Sequence, residues 1–251
     1  MWSKYLALAL ALSFAVPAHA EEFTHRSYTL PDGAFEITGE PARPKVLGIN
    51  LSKDQAGQPV YVAPHFYWGV SDPVTIGITH DRGLCLTGED GGCPRLYDDV
   101  GLGMLIGLSE ARNHEVDLHL GVPILSFDPF TIGSKFGALV RINAGSLVAL
   151  VFDPFLYVGF NRRDEGNREE LVLPVWVYFQ TSPSVAPFVG ASAEGPLDDF
   201  AGHYRIPVEG GVVFEISNNA DLGVVFRFNN LLGHDGGADG RELGLMARFR
   251  F

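Results

Sequence analysis

The sequence predicts an all-β chain folded as an antiparallel transmembrane β-barrel of about twelve strands, with ten or fourteen as the alternatives. Three observations carry that expectation. First, the tail at 241–251 alternates strictly: Leu243, Leu245, Ala247, Phe249 and Phe251 fall on one face, and Glu242, Gly244, Met246, Arg248 and Arg250 on the other. Successive side chains of a strand point to opposite faces, so this strand calls for hydrocarbon on one side and water on the other. Second, the chain is 46% hydrophobic with 30 Gly and 18 Phe, a balance that favours strands over helices. Beyond residue 20 no apolar run approaches the ~20 residues that a membrane helix needs. Third, the connections alternate between short turns and longer charged loops, as in barrels with short periplasmic turns and long external loops. A soluble β-sandwich would also show polar faces, but it gives no reason for loops to sort by length.

In chain order, residues 1–20 read as a cleaved secretory signal. Lys4 supplies the positive start, 5–16 form an apolar run too short to span a bilayer, and Ala18, His19 and Ala20 offer a cleavage point before Glu21. No Cys lies near that point, which disfavours a lipid anchor. Losing Lys4 takes the formal net charge from -12 to -13, and so acidic a chain lacks the basic footprint that nucleic-acid binding requires. Residues 21–33 have three possible fates: pairing with a strand, covering the periplasmic mouth, or disorder. The barrel domain is 34–251.

Twelve period-two segments follow, near 35–51, 60–70, 74–81, 100–108, 115–122, 131–143, 147–160, 171–180, 187–194, 205–216, 222–231 and 242–251. Their lengths suit tilted membrane strands of ~9–11 residues. The short turns are 71–73, 109–114, 144–145, 182–184 and 217–220; the long segments are 82–99, 161–170, 195–204 and 232–241. In 100–108, Val100, Leu102, Met104, Ile106 and Leu108 oppose Gly101, Gly103, Leu105 and Gly107; in 222–229, Leu222, Val224, Phe226 and Phe228 oppose Gly223, Val225, Arg227 and Asn229. The same sorting sets Lys135 and Arg141, Asp117 and His119, and Glu209 and Glu215 on inward faces, where a bilayer demands that charges go because each costs ~2–4 kcal/mol on the lipid face at the midplane. Segments 147–160 and 171–180 are apolar on both faces, so their inward sides are ambiguous. Pro41, Pro44, Pro64, Pro154, Pro174, Pro187 and Pro207 fall inside the segments, and each marks either a bulge or a misplaced boundary, since proline deletes a ladder hydrogen bond. The sequence Phe-Asp-Pro-Phe occurs at 127–130 and again at 152–155, as a weak repeat or as two turn motifs.

The terminal strand, with Phe249 and Phe251, resembles the closing strand of Gram-negative outer-membrane β-barrels, which their assembly machinery reads as a signal. Segments 97–102 (Tyr-Asp-Asp-Val-Gly-Leu), 173–179 (Leu-Pro-Val-Trp-Val-Tyr-Phe), 204–211 (Tyr-Arg-Ile-Pro-Val-Glu-Gly-Gly) and 230–233 (Asn-Leu-Leu-Gly) are similar to a large group of such outer-membrane precursors, some of them assigned to transport. The resemblance spans most of the mature chain without a diagnostic motif. It implies an outer-membrane barrel in contact with lipid and delivered by the barrel-assembly machinery, with no particular substrate.

Cys85 and Cys93 bracket seven residues, three of them Gly, in the longest external loop. In an oxidising compartment that spacing predicts a disulfide; metal-ligating thiols are the competing reading and lack nearby partners. No nucleophile elbow, His-Glu-X-X-His pair or phosphate-binding glycine loop is present. Ser134 falls among apolar neighbours on the lipid side, and His80 has no Ser beside it. Asp117 and His119 share a face, as a solvated lumen pair or part of a site; His65 reads as a lumen or girdle residue beside Tyr61 and Tyr67. The acidic stretch 234–240 reads as a solvated turn, with a divalent-cation loop as the rival. No enzyme, cofactor or metal site is expected.

The chemistry this leaves is passage of small solutes. Lumen-lining candidates are Lys135, Arg141, Arg227, Arg248, Arg250, Glu209, Glu215, Asp117 and His119, with inward Gly101, Gly103, Gly107, Gly121, Gly137 and Gly223 leaving room beside them. Replacing Arg141, Arg227 and Arg248 would then lower anion preference, and replacing Glu209 and Glu215 would raise it. The alternatives are a closed structural or surface-interaction barrel, in which these charges pair across the lumen, and a membrane-embedded hydrolase.

Overall fold

A computed structural model describes residues 23–251 apart from Asp54 and Pro94; the secretory signal expected at 1–20 lies outside the described residues. Sixteen strands are formed: β1 (Phe35–Thr38), β2 (Lys45–Asn50), β3 (Val60–Val62), β4 (His65–Ser71), β5 (Val74–Thr79), β6 (Leu84–Cys85), β7 (Val100–Ala111), β8 (His114–Phe127), β9 (Phe130–Ala144), β10 (Val148–Phe152), β11 (Phe155–Gly159), β12 (Glu170–Phe179), β13 (Val185–Pro196), β14 (Val208–Ser217), β15 (Ala220–Asn230) and β16 (Gly237–Arg250). They make twelve staves of one closed antiparallel barrel, because β1 with β2, β3 with β4, β5 with β6 and β10 with β11 are interrupted single staves. Closure is direct: β16 pairs with both β1 and β2, and Phe251 exchanges backbone hydrogen bonds of 2.8 and 3.1 Å with Phe35.

The interruptions are where proline forbids a continuous ladder. Pro41 and Pro44 lie in an excursion at 39–44 between β1 and β2, Pro64 separates β3 from β4, and Pro154 separates β10 from β11. Pro174 stays within β12, opposite the Asp153–Pro154 break, where the pairing of β12 lapses between Val172 and Val175 and no donor is missed. Pro187 lies beyond Phe188, the last residue of β13 paired with β12. The two Phe-Asp-Pro-Phe segments therefore do different things: the first is a tight turn that lets β8 and β9 run on to Phe127 and Phe130, past the expected 122 and 131, and the second is a break in a stave.

Faces follow the alternation. Leu102, Leu108, Phe136, Leu222, Val224, Leu245 and Phe249 are exposed on the outside, while Leu105, Leu139, Val213, Val225, Met246 and Arg248 are buried within. The double-apolar staves resolve the same way, with Ala149, Val151, Trp176 and Tyr178 inward. Short turns other than the tight one at 128–129 gather at one end of the barrel, and the longer loops, including 80–99, lie at the other together with that turn.

Residues 23–34 neither pair along the wall as a stave nor cap it from outside. They cross the interior at the short-turn end, touching staves all around the circumference: Thr24 reaches Gln180 at the end of β12, Leu30 donates to Thr75 of β5 at 2.7 Å, and Gly33 bonds Gly69 of β4. The apolar side chains facing inward at this level need an apolar filler, and Phe23 and Ala42 join Leu105, Leu139, Val151, Tyr178, Phe188, Val213 and Met246 in one core with Tyr28 packed against it. Phe23 sits 5.3 Å from the Tyr178 ring. The lower lumen is thus packed as a protein interior.

Candidate functional site: a charged vestibule above an internal plug

The plug is held by ions drawn from the wall. Arg26, 2% exposed, bonds Asp221 at 2.6 Å and Glu215 at 3.2 Å. Glu115 accepts from the Tyr28 amide at 2.7 Å and the Ser27 hydroxyl at 2.8 Å, and pairs with Arg141 at 2.8 Å. Arg141 also donates to the carbonyls of Arg26 and His25 and lies over the Tyr28 ring. Arg250 bridges Glu36 at 2.9 Å and the Ser27 carbonyl at 3.1 Å; Arg248 donates to the Pro41 carbonyl at 3.0 Å and covers the Phe23 ring. Hydrogen-bonded ion pairs of this kind are the form in which charges tolerate burial.

A second inward segment, 39–44, roofs the plug. Tyr178 donates its hydroxyl to the Ala42 carbonyl at 2.8 Å, and Arg43 pairs with Glu209 at 2.6 Å, which also accepts from the Trp176 indole at 2.5 Å. Above it a cavity of about 780 Å³ occupies the long-loop half of the barrel. Its wall carries paired charges: Lys45 with Glu242 at 2.6 Å, Arg227 with Glu194 at 3.1 Å, and Arg205 with Glu170 at 3.0 Å. His119 contacts Asp153 at 2.8 Å, both buried. His65 is inward, set between the Tyr67 hydroxyl and the His80 carbonyl. The Lys135 ammonium instead lies over the Phe155 ring, 4.0 Å from its centroid.

All nine lumen candidates face inward, but at two levels with different surroundings. Lys135, Arg227, Glu209 and His119 line the cavity. Arg141, Arg248, Arg250 and Glu215 meet the plug or the excursion rather than an open lumen, because the core needs a filler there. Asp117 is 1% exposed beneath the cavity, and among the described residues neither of its carboxylate oxygens has a hydrogen-bond partner. It is not the partner of His119; Asp153 is, facing inward in the same alternation as Ala149 and Val151. The second Phe-Asp-Pro-Phe segment was the only sequence signal of it. Of the inward glycines, Gly103 and Gly121 line the cavity, whereas a Cβ at Gly137 would meet Phe155 and Pro154, and one at Gly223 would meet the backbone of Val212 and Val213.

The rim is braced. Asp99 accepts from the amides of Asp81, Arg82 and Gly83, and Cys85 and Cys93 form a disulfide with a Cα–Cα distance of 5.9 Å. Cys85 belongs to β6, which pairs with β3, so the bridge fixes the 80–99 loop onto the wall. At 160–169 the Arg163 guanidinium, bonded to Glu169, holds that carboxyl below its ordinary range. Mass spectrometry of protein purified without reductant should find no free thiol, and Cys85→Ser with Cys93→Ser should loosen the rim by at most ~3 kcal/mol; two free thiols in the wild type would contradict the bridge. Among the described residues no group of three or more His, Cys, Asp or Glu side chains is placed to hold a metal, the 234–240 stretch included.

No protein-family model matches the sequence, and no curated protein matches it either. The fold, however, has solved counterparts. It is similar to the NanC porin (TM-score 0.57, 7% identity, 86% of this chain and 98% of that one), to the KdgM porin (TM-score 0.55, 5% identity, 87% and 99%), and to the COG4313 outer membrane channel from Pseudomonas putida F1 (TM-score 0.54, 10% identity, 93% and 100%). At such identities the likeness is one of architecture: this chain has the fold of outer-membrane porins and channels.

Proposed function

We propose that this protein is an outer-membrane channel for small solutes, entered from the long-loop side and closed at rest by residues 23–34. The observation that carries the reading is the polar cavity of about 780 Å³ inside an apolar outer belt. A purely structural barrel has no need of a charged, water-accessible interior, and charges are costly to place in a membrane segment without such a role. The porin fold supports the same reading and the outer-membrane location, and the seam between Phe251 and Phe35 fits a terminal residue that the assembly machinery would recognise. An orienting Asp153 beside His119 is half of a hydrolytic arrangement. No serine is hydrogen-bonded to His119 among the described residues, which favours passage over hydrolysis.

Liposome swelling tests this reading. Barrels lacking residues 23–33 should admit small neutral sugars several-fold faster than the full chain. If both proteins fold, shown by altered gel mobility before boiling, and neither admits any solute, the closed structural barrel becomes the better account.

A further inference from the structure

One row of the wall is built differently from the rest. Hydrogen-bond register places Tyr67 of β4 opposite Gly77 of β5, Gly77 opposite Gly103 of β7, Gly103 opposite Gly121 of β8, Gly121 opposite Lys135 of β9, and Lys135 opposite Tyr157 of β11. Three successive staves therefore present no side chain at one level. The Tyr67 ring covers Gly77, where a Cβ would come within 2.4 Å of it, and the Thr79 methyl covers Gly103, where a Cβ would come within 2.9 Å. At Gly121 an added Cβ would meet nothing nearer than 3.4 Å. The result is a bare notch over Gly121, bounded by Thr79 and Lys135, on the cavity wall.

The cation at its edge lacks a carboxylate partner among the described residues. Arg43, Lys45, Arg205 and Arg227, four other cations that line the cavity, each have a carboxylate within 3.2 Å. Lys135 forms no ion pair among the described residues and rests on an aromatic face, a weak substitute for a counter-ion. One strand over, His119 spends Nδ1 on Asp153, and its Nε2 at the cavity wall has no hydrogen-bond partner among the described residues. Inward residues on neighbouring strands one row apart lie ~7–8 Å from each other, a span that one small ligand bridges.

We infer that the notch over Gly121, between Thr79 and Lys135, binds a small anion, a carboxylate or a phosphate, with Lys135 as its counter-ion and, for a phosphate, with its hydroxyl donating to His119 Nε2. Glu40 lies within electrostatic reach of Lys135 and opposes the anion, although Arg43 at 3.2 Å offsets part of its field. The site's part in choosing solutes rests on the channel reading; binding to the closed barrel does not require passage, so the two fail separately.

Calorimetry on the full-length barrel in non-ionic detergent, titrated in turn with inorganic phosphate and with succinate, tests the site. Saturable binding of at least one probe is expected, and the stronger probe identifies the chemistry. Lys135→Gln should weaken it about tenfold or more, as losing a charge-assisted contact does. Lys135→Arg should retain binding, Glu40→Gln should tighten it, and Arg82→Gln, at the exposed mouth, should leave it unchanged. Gly121→Ala fits the wall without a clash yet fills the notch, so it should weaken binding in a barrel that still folds. Absence of saturable binding for both probes, or Lys135→Gln binding as the wild type does, would overturn the assignment.

Discussion

Arg26→Ala should turn a mostly silent barrel into a conducting one in planar bilayers. The substitution removes the cation that sits between Asp221 and Glu215, both almost fully buried, and leaves Asp221 with the more distant Arg248 at 3.9 Å. Breaking a buried ion pair from one side costs about 3–5 kcal/mol, because the remaining charge is left desolvated. The two carboxylates regain water when the plug leaves, so the cost falls on the docked state. Even half of the lower figure, about 1.5 kcal/mol, raises the undocked fraction about tenfold. Asp221→Asn should act in the same direction more weakly, since it leaves Arg26 its contact with Glu215. An Arg26→Ala barrel as silent as the wild type would mean that this clasp does not hold the plug.

The second large effect separates closure from selectivity. Arg141→Gln should raise open probability, because Arg141 donates to the Arg26 and His25 carbonyls and neutralises Glu115, which itself binds the Ser27 hydroxyl and the Tyr28 amide. Arg227→Gln should leave open probability alone and shift reversal potentials toward cations, because Arg227 lines the upper cavity with Glu194. The sequence expectation treated both arginines, with Arg248, as selectivity charges. Their different heights in the barrel divide them: Arg141 and Arg248 serve the plug, and Arg227 serves the vestibule. Reversal potentials and dwell times from the same recordings distinguish the two. A pure selectivity change in Arg141→Gln would contradict the division.

The barrel was legible because a bilayer imposes strict rules. Period-two faces, loops sorted by length and the aromatic terminus located all twelve staves, and even the inward face of β7 with Gly101, Gly103 and Leu105. The plug was not legible. Residues 23–34 carry no period and no motif, and their place depends on partners spread from Gly69 to Arg250 along the chain. A clue was nonetheless present. Leu105, Leu139, Val213, Val225 and Met246 alternate inward as apolar residues, and a water-filled lumen would leave them wet, so an internal filler was implied. The pairing of His119 with Asp153 was hidden for another reason: alternation within β8 offered Asp117 as the neighbour, whereas the actual one comes from a stave two places away whose two apolar faces left its inward side ambiguous.

Covalent locking of the plug tests the central claim most directly. The Leu30 amide lies 2.7 Å from the Thr75 hydroxyl, so a Leu30→Cys, Thr75→Cys pair is the lock to introduce, with its bridge verified by non-reducing mass spectrometry before recording. Introduced together with Arg26→Ala, the oxidised pair should keep a single barrel silent in a planar bilayer. Adding reductant to the same membrane should then start conductance, while Arg26→Ala alone, whose native disulfide the reductant also meets, should conduct before and after. A locked barrel that conducts freely, or one that stays silent once the lock is reduced, would contradict closure by residues 23–34.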